Sequence, residues 1–344
     1  MQKPFIKLNI GISYKGQSIV EERKKIELGI HYKADYIANI SIEKTILSVM
    51  WKALAEYQNQ GVVFASVPLY ESVLLDEPLL ETIQRQYDYG VRQFTLDCTP
   101  RYIIEKANKD VNFRINSRGG YFLNKYYEKY PHKDNPYLEN ITDIRLFKTR
   151  HPEVQFTLAG VLRPGNCASY SLKYLLEELA FYRKNNLLDK DLLEVGGHIK
   201  VNDFSKVISI LGKTPISLMG PIITDATNKY DHVTNIVGQQ LFASRYAYVK
   251  GILGISPAEH LHFPTCADAE QALIFARMCQ HAIGLLYNDP TCLETEREFN
   301  AKVNSCNIQR NLFGPFAEIQ ACDMCGPCCP LRNSKKKGPD EEKH

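Results

Sequence analysis

Short apolar, β-branched runs alternate along this chain with longer stretches in which apolar residues recur every three or four positions. The runs at Phe5–Ile12, Tyr36–Ile40, Val62–Val67, Gln93–Leu96, Val111–Asn116, Val154–Leu158, Leu192–Val195 and Ile216–Met219 read as strands. Helical spacing covers Ile42–Tyr57, Leu79–Tyr89, Ala168–Lys184 and Phe204–Leu211, and the Gly120-Tyr121-Phe122 and Asn135-Pro136 segments suggest two helices after Gly119. Eight such units within about 220 residues predict an α/β protein, a (β/α)8 TIM barrel, rather than a doubly wound sheet. No Gly-x-Gly-x-x-Gly follows the first strand, which argues against a dinucleotide fold. Beyond Thr224 the pattern turns helical, over Val233–Val249 and Cys266–Leu286. The expected organisation is a barrel core over 1–230, helices completing the barrel over 231–290, and a C-terminal extension over 291–344.

In such a barrel the C-terminal ends of the strands carry function. Here they hold polar side chains and glycines: Asn9-Ile10-Gly11, Pro68-Leu69-Tyr70, Asp97-Cys98, Ser117-Arg118-Gly119-Gly120, Leu162-Arg163-Pro164-Gly165, Glu194 to His198, and Gly220 to Asp225. Each glycine alone reads as a tight turn; seven polar strand ends together predict a polar pocket. Ser117 to Gly120, opening a helix, could hold an anion on backbone N–H groups, with Arg118 adding a bidentate contact.

The last thirty residues change the picture most. Cys322, Cys325, Cys328 and Cys329 fall within eight positions, a spacing that suits a metal or an iron–sulfur cluster. The chain has ten cysteines, and no secretion signal precedes them, so a reducing, cytoplasmic setting is expected. The net charge of +3 is too small to call for nucleic acid, and no apolar run is long enough for a membrane span. Lys335 to Lys337 read as a solvated tail.

These motifs, in this order and over Lys7 to Cys329, resemble the phosphomethylpyrimidine synthase (ThiC) family of radical S-adenosylmethionine enzymes. Further matches are Gly197-His198, Tyr230-Asp231-His232-Val233-Thr234 and Pro257-Ala258-Glu259-His260. The resemblance is to an N-terminally short, divergent paralogue. It implies a [4Fe–4S] cluster on Cys322, Cys325 and one of Cys328 or Cys329, with one iron left for S-adenosylmethionine, which yields a 5′-deoxyadenosyl radical. It also implies zinc or iron on His198 and His260; without the resemblance each reads as an ordinary polar histidine, as His232 and His262 do. Asn9, Tyr70, Asp97, Ser117, Arg118, Gly119, Leu162, Arg163 and Glu194 fall on the family's substrate positions, where the substrate is aminoimidazole ribotide. A homodimer with exchanged C-terminal tails and an electron donor such as flavodoxin or ferredoxin are implied as partners.

Departures from the family pattern accompany these matches. The family's Asp-Gly-Leu-Arg is Gly160-Val161-Leu162-Arg163, its fourth-strand His is Asp97, its eighth-strand Tyr is Ser217 and its second-strand Met is Ala38. The family spacing would put the third cysteine at Pro330. The expectation is therefore a ThiC-like enzyme acting on a small phosphorylated, ribotide-like molecule, with thiamine pyrimidine phosphate as one outcome. A hydroxybenzimidazole synthase-like enzyme of cobamide synthesis and a non-catalytic metal-binding paralogue are the alternatives.

Overall fold

A computed structural model describes residues 5–12, 18–113, 115, 117–164, 171–187, 192–195, 203–211, 216–219, 249–255, 266, 270 and 273. Strand β1, Phe5–Ile10, leads to helix α1, Ile19–His31, and strand β2, Tyr36–Asn39. A 3-10 turn over Lys44–Ile46 and helix α2, Leu47–Ala55, precede β3, Val63–Ser66. Helices α3, Pro68–Leu75, and α4, Leu79–Asp88, connect to β4, Val91–Leu96. Four helices then follow: α5, Arg101–Lys109, α6, Arg118–Lys129, α7, Pro136–Glu139, and α8, Ile141–Arg150. The chain continues through β5, Gln155–Ala159, α9, Lys173–Lys184, β6, Leu192–Val195, α10, Phe204–Leu211, β7, Ile216–Met219, and β8, Val249–Ile255.

The α/β class is as expected. Each strand pairs in parallel with the next, and β8 pairs with β1, so the order β1 to β8 returns on itself as a closed barrel. Strand β1 shows why the chain builds this way: Ile6, Leu8 and Ile10 are fully buried, and Lys7 and Asn9 alternate with them. Alternation sends the two sets to opposite faces of the sheet. The apolar set packs in one core with Ile26, Leu54, Ile83, Ile103, Phe122 and Leu179 from the surrounding helices.

The identity of the later strands differs from the sequence expectation. Val111–Asn116 was expected to be the fifth strand, but the described residues there form a turn between α5 and α6, with Val111 78% exposed. The reason is local: Asp110 Oδ1 accepts from the Asn112 N–H at 3.0 Å, an Asx turn that outcompetes one β-branched residue. The expected sixth, seventh and eighth strands are therefore β5, β6 and β7. Strand β8 lies in the stretch 231–290, where helices were expected, and Val249 begins it. The described residues 266, 270 and 273 are helical, as the pattern there predicts. The cysteine-rich tail lies outside the described residues. No helix among the described residues is long and apolar enough to cross a membrane.

Two buried carboxylates fasten strand ends to helices. Ser18 caps α1, its Oγ accepting from Val20 N at 3.2 Å. One turn on, Glu22 Oε2 accepts from Gly11 N at 2.8 Å while Lys25 Nζ lies 2.6 Å from its Oε1. Burial raises the Glu22 carboxyl above its usual range despite Lys25. Gly11 has φ +146°, and a Cβ there would stand 2.6 Å from Ser41 N, so only glycine lets the chain leave β1 this closely. Glu178 of α9 plays the corresponding part after β5.

Candidate active site

Lys7 and Asn9 of β1, Ala38 of β2, Tyr70 of α3, Thr95 and Asp97 of β4 and its exit, Ser117 and Gly119 of α6, and Gly160 and Arg163 after β5 line one cleft. These positions lie at or beyond the C-terminal ends of their strands, apart from Lys7 deeper in β1. The register explains the convergence: Asn9 sits beside Ala38, and Thr95 beside Thr157.

Asn9 is 3% exposed, and its Oδ1 is buried without a hydrogen-bond partner among the described residues. A buried amide oxygen left this way costs roughly 1–3 kcal/mol, so a ligand or water donor is what the position calls for. Gln93 Oε1 and Thr157 Oγ1 are orphaned in the same sense. The polar side of this sheet therefore differs from the branched aliphatic layers that ordinarily fill such a barrel.

Tyr70 is held as an aromatic wall. It stacks on Phe122 at 4.9 Å between ring centroids, and the Arg118 guanidinium stands 5.7 Å from its own centroid. Pro68 at the first position of α3 sets the entry of that helix, and Tyr137 Oη accepts from the next peptide, Leu69 N–H, at 2.9 Å.

Ser117 caps α6, its Oγ accepting from Gly120 N at 2.9 Å. Arg118, 1% exposed, donates from Nη1 to the Ile40 carbonyl at 2.7 Å. Its guanidinium is thus engaged with the backbone after β2, and it is not among the cleft-lining side chains. The carboxylate of Asp97 lies against the first turn of α6: a Cβ on Gly119 would stand 2.6 Å from Asp97 Oδ1 and 2.8 Å from Oδ2. The helix start that the sequence suggests for a ligand's anion has an anion of the protein beside it.

Leu162 is fully buried behind the cleft, and Arg163 is 4% exposed. Glu194 is on β6 between Ala159 and Ser217 in register, and only its backbone is described. His198, His260, Cys322, Cys325, Cys328 and Cys329 lie outside the described residues. Among the described residues no group of three His, Cys, Asp or Glu could hold a metal ion. By residue type alone, thiolates suit iron–sulfur ligation and imidazoles suit zinc or iron.

Sequence reasoning missed Lys7 and Thr95. Lys7 is 7% exposed and donates from Nζ to Thr95 Oγ1 at 3.3 Å. The signal was present in Ile6-Lys7-Leu8-Asn9-Ile10, where two polar residues share the face opposite three aliphatics.

A parallel α/β sheet whose strand exits converge on one cleft of buried polar and charged side chains is the arrangement in which proteins of this class carry their sites. The model of the radical SAM ThiC family matches residues 3–336, and this chain belongs to that family. It is similar to the phosphomethylpyrimidine synthase of Desulfotalea psychrophila, at 25% identity over 366 residues, covering 95% of this chain and 82% of that one. The phosphomethylpyrimidine synthase of Moorella thermoacetica is 26% identical, covering 95% and 83%. Among solved structures, an archaeal fructose-1,6-bisphosphate aldolase has a TM-score of 0.42 at 11% identity, over 81% of this chain and 94% of that chain.

Proposed function

We propose that this chain is a ThiC-type radical S-adenosylmethionine enzyme that rearranges or cleaves a small phosphorylated, ribotide-like substrate, and that its substrate differs from aminoimidazole ribotide. The observation that carries the first half is the extent of the family match, which runs through Cys322–Cys329 to residue 336. Cys322, Cys325 and one of Cys328 or Cys329 would hold a [4Fe–4S] cluster; bound with S-adenosylmethionine, it supplies one-electron chemistry that ends in a carbon-centred radical. His198 and His260 would hold zinc or iron.

The second half is favoured by where the departures fall. Ala38, Asp97 and Gly160 all line the cleft. The family match spans residues 3–336, and these three departures from its motifs fall where a substrate would touch.

The remaining roles belong to this chain's own side chains. Asn9 Oδ1 accepts a hydrogen bond from the substrate, Tyr70 forms an apolar wall, and Arg163 pairs with its anionic end. The near-complete burial of these groups keeps water from the reacting centre. Exchange of C-terminal tails in a homodimer, a flavodoxin or ferredoxin as electron donor, and a cytoplasmic setting complete the proposal. Anaerobic reconstitution with iron and sulfide tests it. A brown protein that forms 5′-deoxyadenosine from S-adenosylmethionine under strong reductant supports an enzyme; a colourless zinc protein would leave the non-catalytic metal-binding reading.

A further inference from the structure

The loop that brings Arg163 to the cleft is held from behind. Glu178, on the inner face of α9, is fully buried. Its Oε1 accepts from Val161 N at 2.9 Å and its Oε2 from Leu162 N at 3.1 Å. The Thr99 hydroxyl donates to Oε1 as well, and Tyr182 Oη lies 3.0 Å from the same oxygen. Thr99 belongs to the exit of β4. Its carbonyl and that of Asp97 share one donor, Asn135 Nδ2, at 2.8 and 2.7 Å. One carboxylate thus ties together the two loops that present Asp97 and Arg163.

Packing alone does not account for a carboxylate here. A leucine would fill similar volume among these neighbours without the cost of burying charge. What a leucine could not do is receive the N–H groups of Val161 and Leu162. Those peptides have left the β5 ladder, and a buried N–H must find an acceptor somewhere. Two consecutive N–H groups on one carboxylate fix the orientation of the peptide planes immediately before Arg163. The Arg163 N–H closes the turn on the Val161 carbonyl at 3.2 Å. Burial outweighs the donors and pushes the Glu178 carboxyl up to about 7, so the fold retains this group against a sizeable cost.

We propose that Glu178 is a positioning residue for the cleft: its carboxylate sets the peptide groups of Val161 and Leu162, and through them the reach of Arg163. The proposal rests on the cleft being a ligand site.

Two measurements on the full chain test it. The first is hydrogen–deuterium exchange, which needs no ligand. In Glu178→Gln the amides of Val161 and Leu162 should exchange at least about tenfold faster, because the new NH2 group turns a donor toward donors. Protection in α1 and α5 should not change. Glu178→Asp keeps the charge but falls one methylene short, and should give an intermediate loss if the glutamine variant does not fold. Unchanged exchange at Val161 and Leu162 would overturn the clamp.

The second is a double-mutant cycle read by calorimetry with ribose 5-phosphate as probe. Arg163→Gln and Glu178→Gln should each weaken binding about tenfold. The double variant should bind no worse than Arg163→Gln alone, because Glu178 acts through Arg163. A merely structural role would make the two losses add, and that result would sink the positioning claim. Should the wild-type chain take up no ribose 5-phosphate, the cleft reading fails, and the clamp is then judged by exchange alone.

Discussion

The Asp97 carboxylate and Gly119 occupy the same small volume: a Cβ added at Gly119 would stand 2.6 Å from both Asp97 Cγ and Oδ1. Both are buried, Asp97 at 3% exposure and Gly119 within α6. The pairing also places a negative charge where a helix start favours one.

Gly119→Ala should therefore destabilise the chain by about 1–3 kcal/mol through overpacking, although alanine is otherwise the better helix former. Removing the obstacle should reverse this: in an Asp97→Ala background the same substitution should be neutral or slightly stabilising. Denaturant midpoints for the four chains measure the coupling. Equal losses in both backgrounds would show that Asp97 is not what the glycine accommodates.

Glu178 gives a prediction in pH. Its carboxyl is raised from 4.5 to about 7 by burial, so folded protein binds this proton where unfolded protein has already released it. The contribution to stability is full below about pH 4.5 and is lost as pH rises through about 7. Over that window the wild-type chain should lose up to about 3 kcal/mol that Glu178→Gln does not. The slope is the quantity to compare, because glutamine also removes the clamp and shifts the whole curve. Parallel pH profiles of unfolding free energy for the two chains would show that Glu178 does not titrate in this window.

Much of the fold was legible because strands such as Phe5–Ile10 are dense in branched aliphatics and end at glycine or polar turns. Strand β8 was not. Its sequence, Val-Lys-Gly-Ile-Leu-Gly-Ile, contains two glycines and a lysine, all weak strand formers. Its neighbours decide its state: Gly251 pairs with Phe5, and Gly254 with both Lys7 and Met219. Val111 erred the other way, a good strand former in a position that Asp110 turns outward. At the cleft, Asn9 and Asp97 could be named from motif order. Glu178 could not, because an acidic residue in Leu175-Leu176-Glu177-Glu178-Leu179 looks like an exposed helix position until the loop it serves is in view.

The tail makes a separate prediction. Thiolates are the cluster's expected ligands, so Cys322→Ala and Cys325→Ala should each abolish iron incorporation on anaerobic reconstitution. Cys328→Ala and Cys329→Ala should differ sharply, one retaining the absorbance near 400 nm and the other losing it, since only one can supply the third thiolate. His198→Ala and His260→Ala should spare that absorbance while lowering the second metal. Iron content that survives Cys322→Ala or Cys325→Ala would remove the cluster assignment.

The most consequential prediction concerns aminoimidazole ribotide, which this chain should turn over poorly or not at all. Where the family carries Met, His and Asp, the cleft here presents Ala38, Asp97 and Gly160. A sugar hydroxyl that loses its carboxylate partner is left unpaired at a cost of about 1–3 kcal/mol, and losing a larger side chain at Ala38 removes contact area as well. The position of Asp97 adds a charge effect. Its carboxylate lies against Gly119, so a phosphate docked on the start of α6 would meet another anion at short range unless Lys7 or Arg163 offsets it. Asp97→His should then improve whatever weak binding of the ribotide exists, and Asp97→Asn should improve it less. The assay is anaerobic, with S-adenosylmethionine, a strong reductant and aminoimidazole ribotide, scoring 5′-deoxyadenosine and pyrimidine phosphate separately. The nucleoside product without the pyrimidine is the result expected if the cysteine-borne cluster is kept while the cleft has changed. Robust pyrimidine formation by the unmodified chain would mean that Ala38, Asp97 and Gly160 still accommodate the ribotide, and the changed-substrate reading would have to be abandoned.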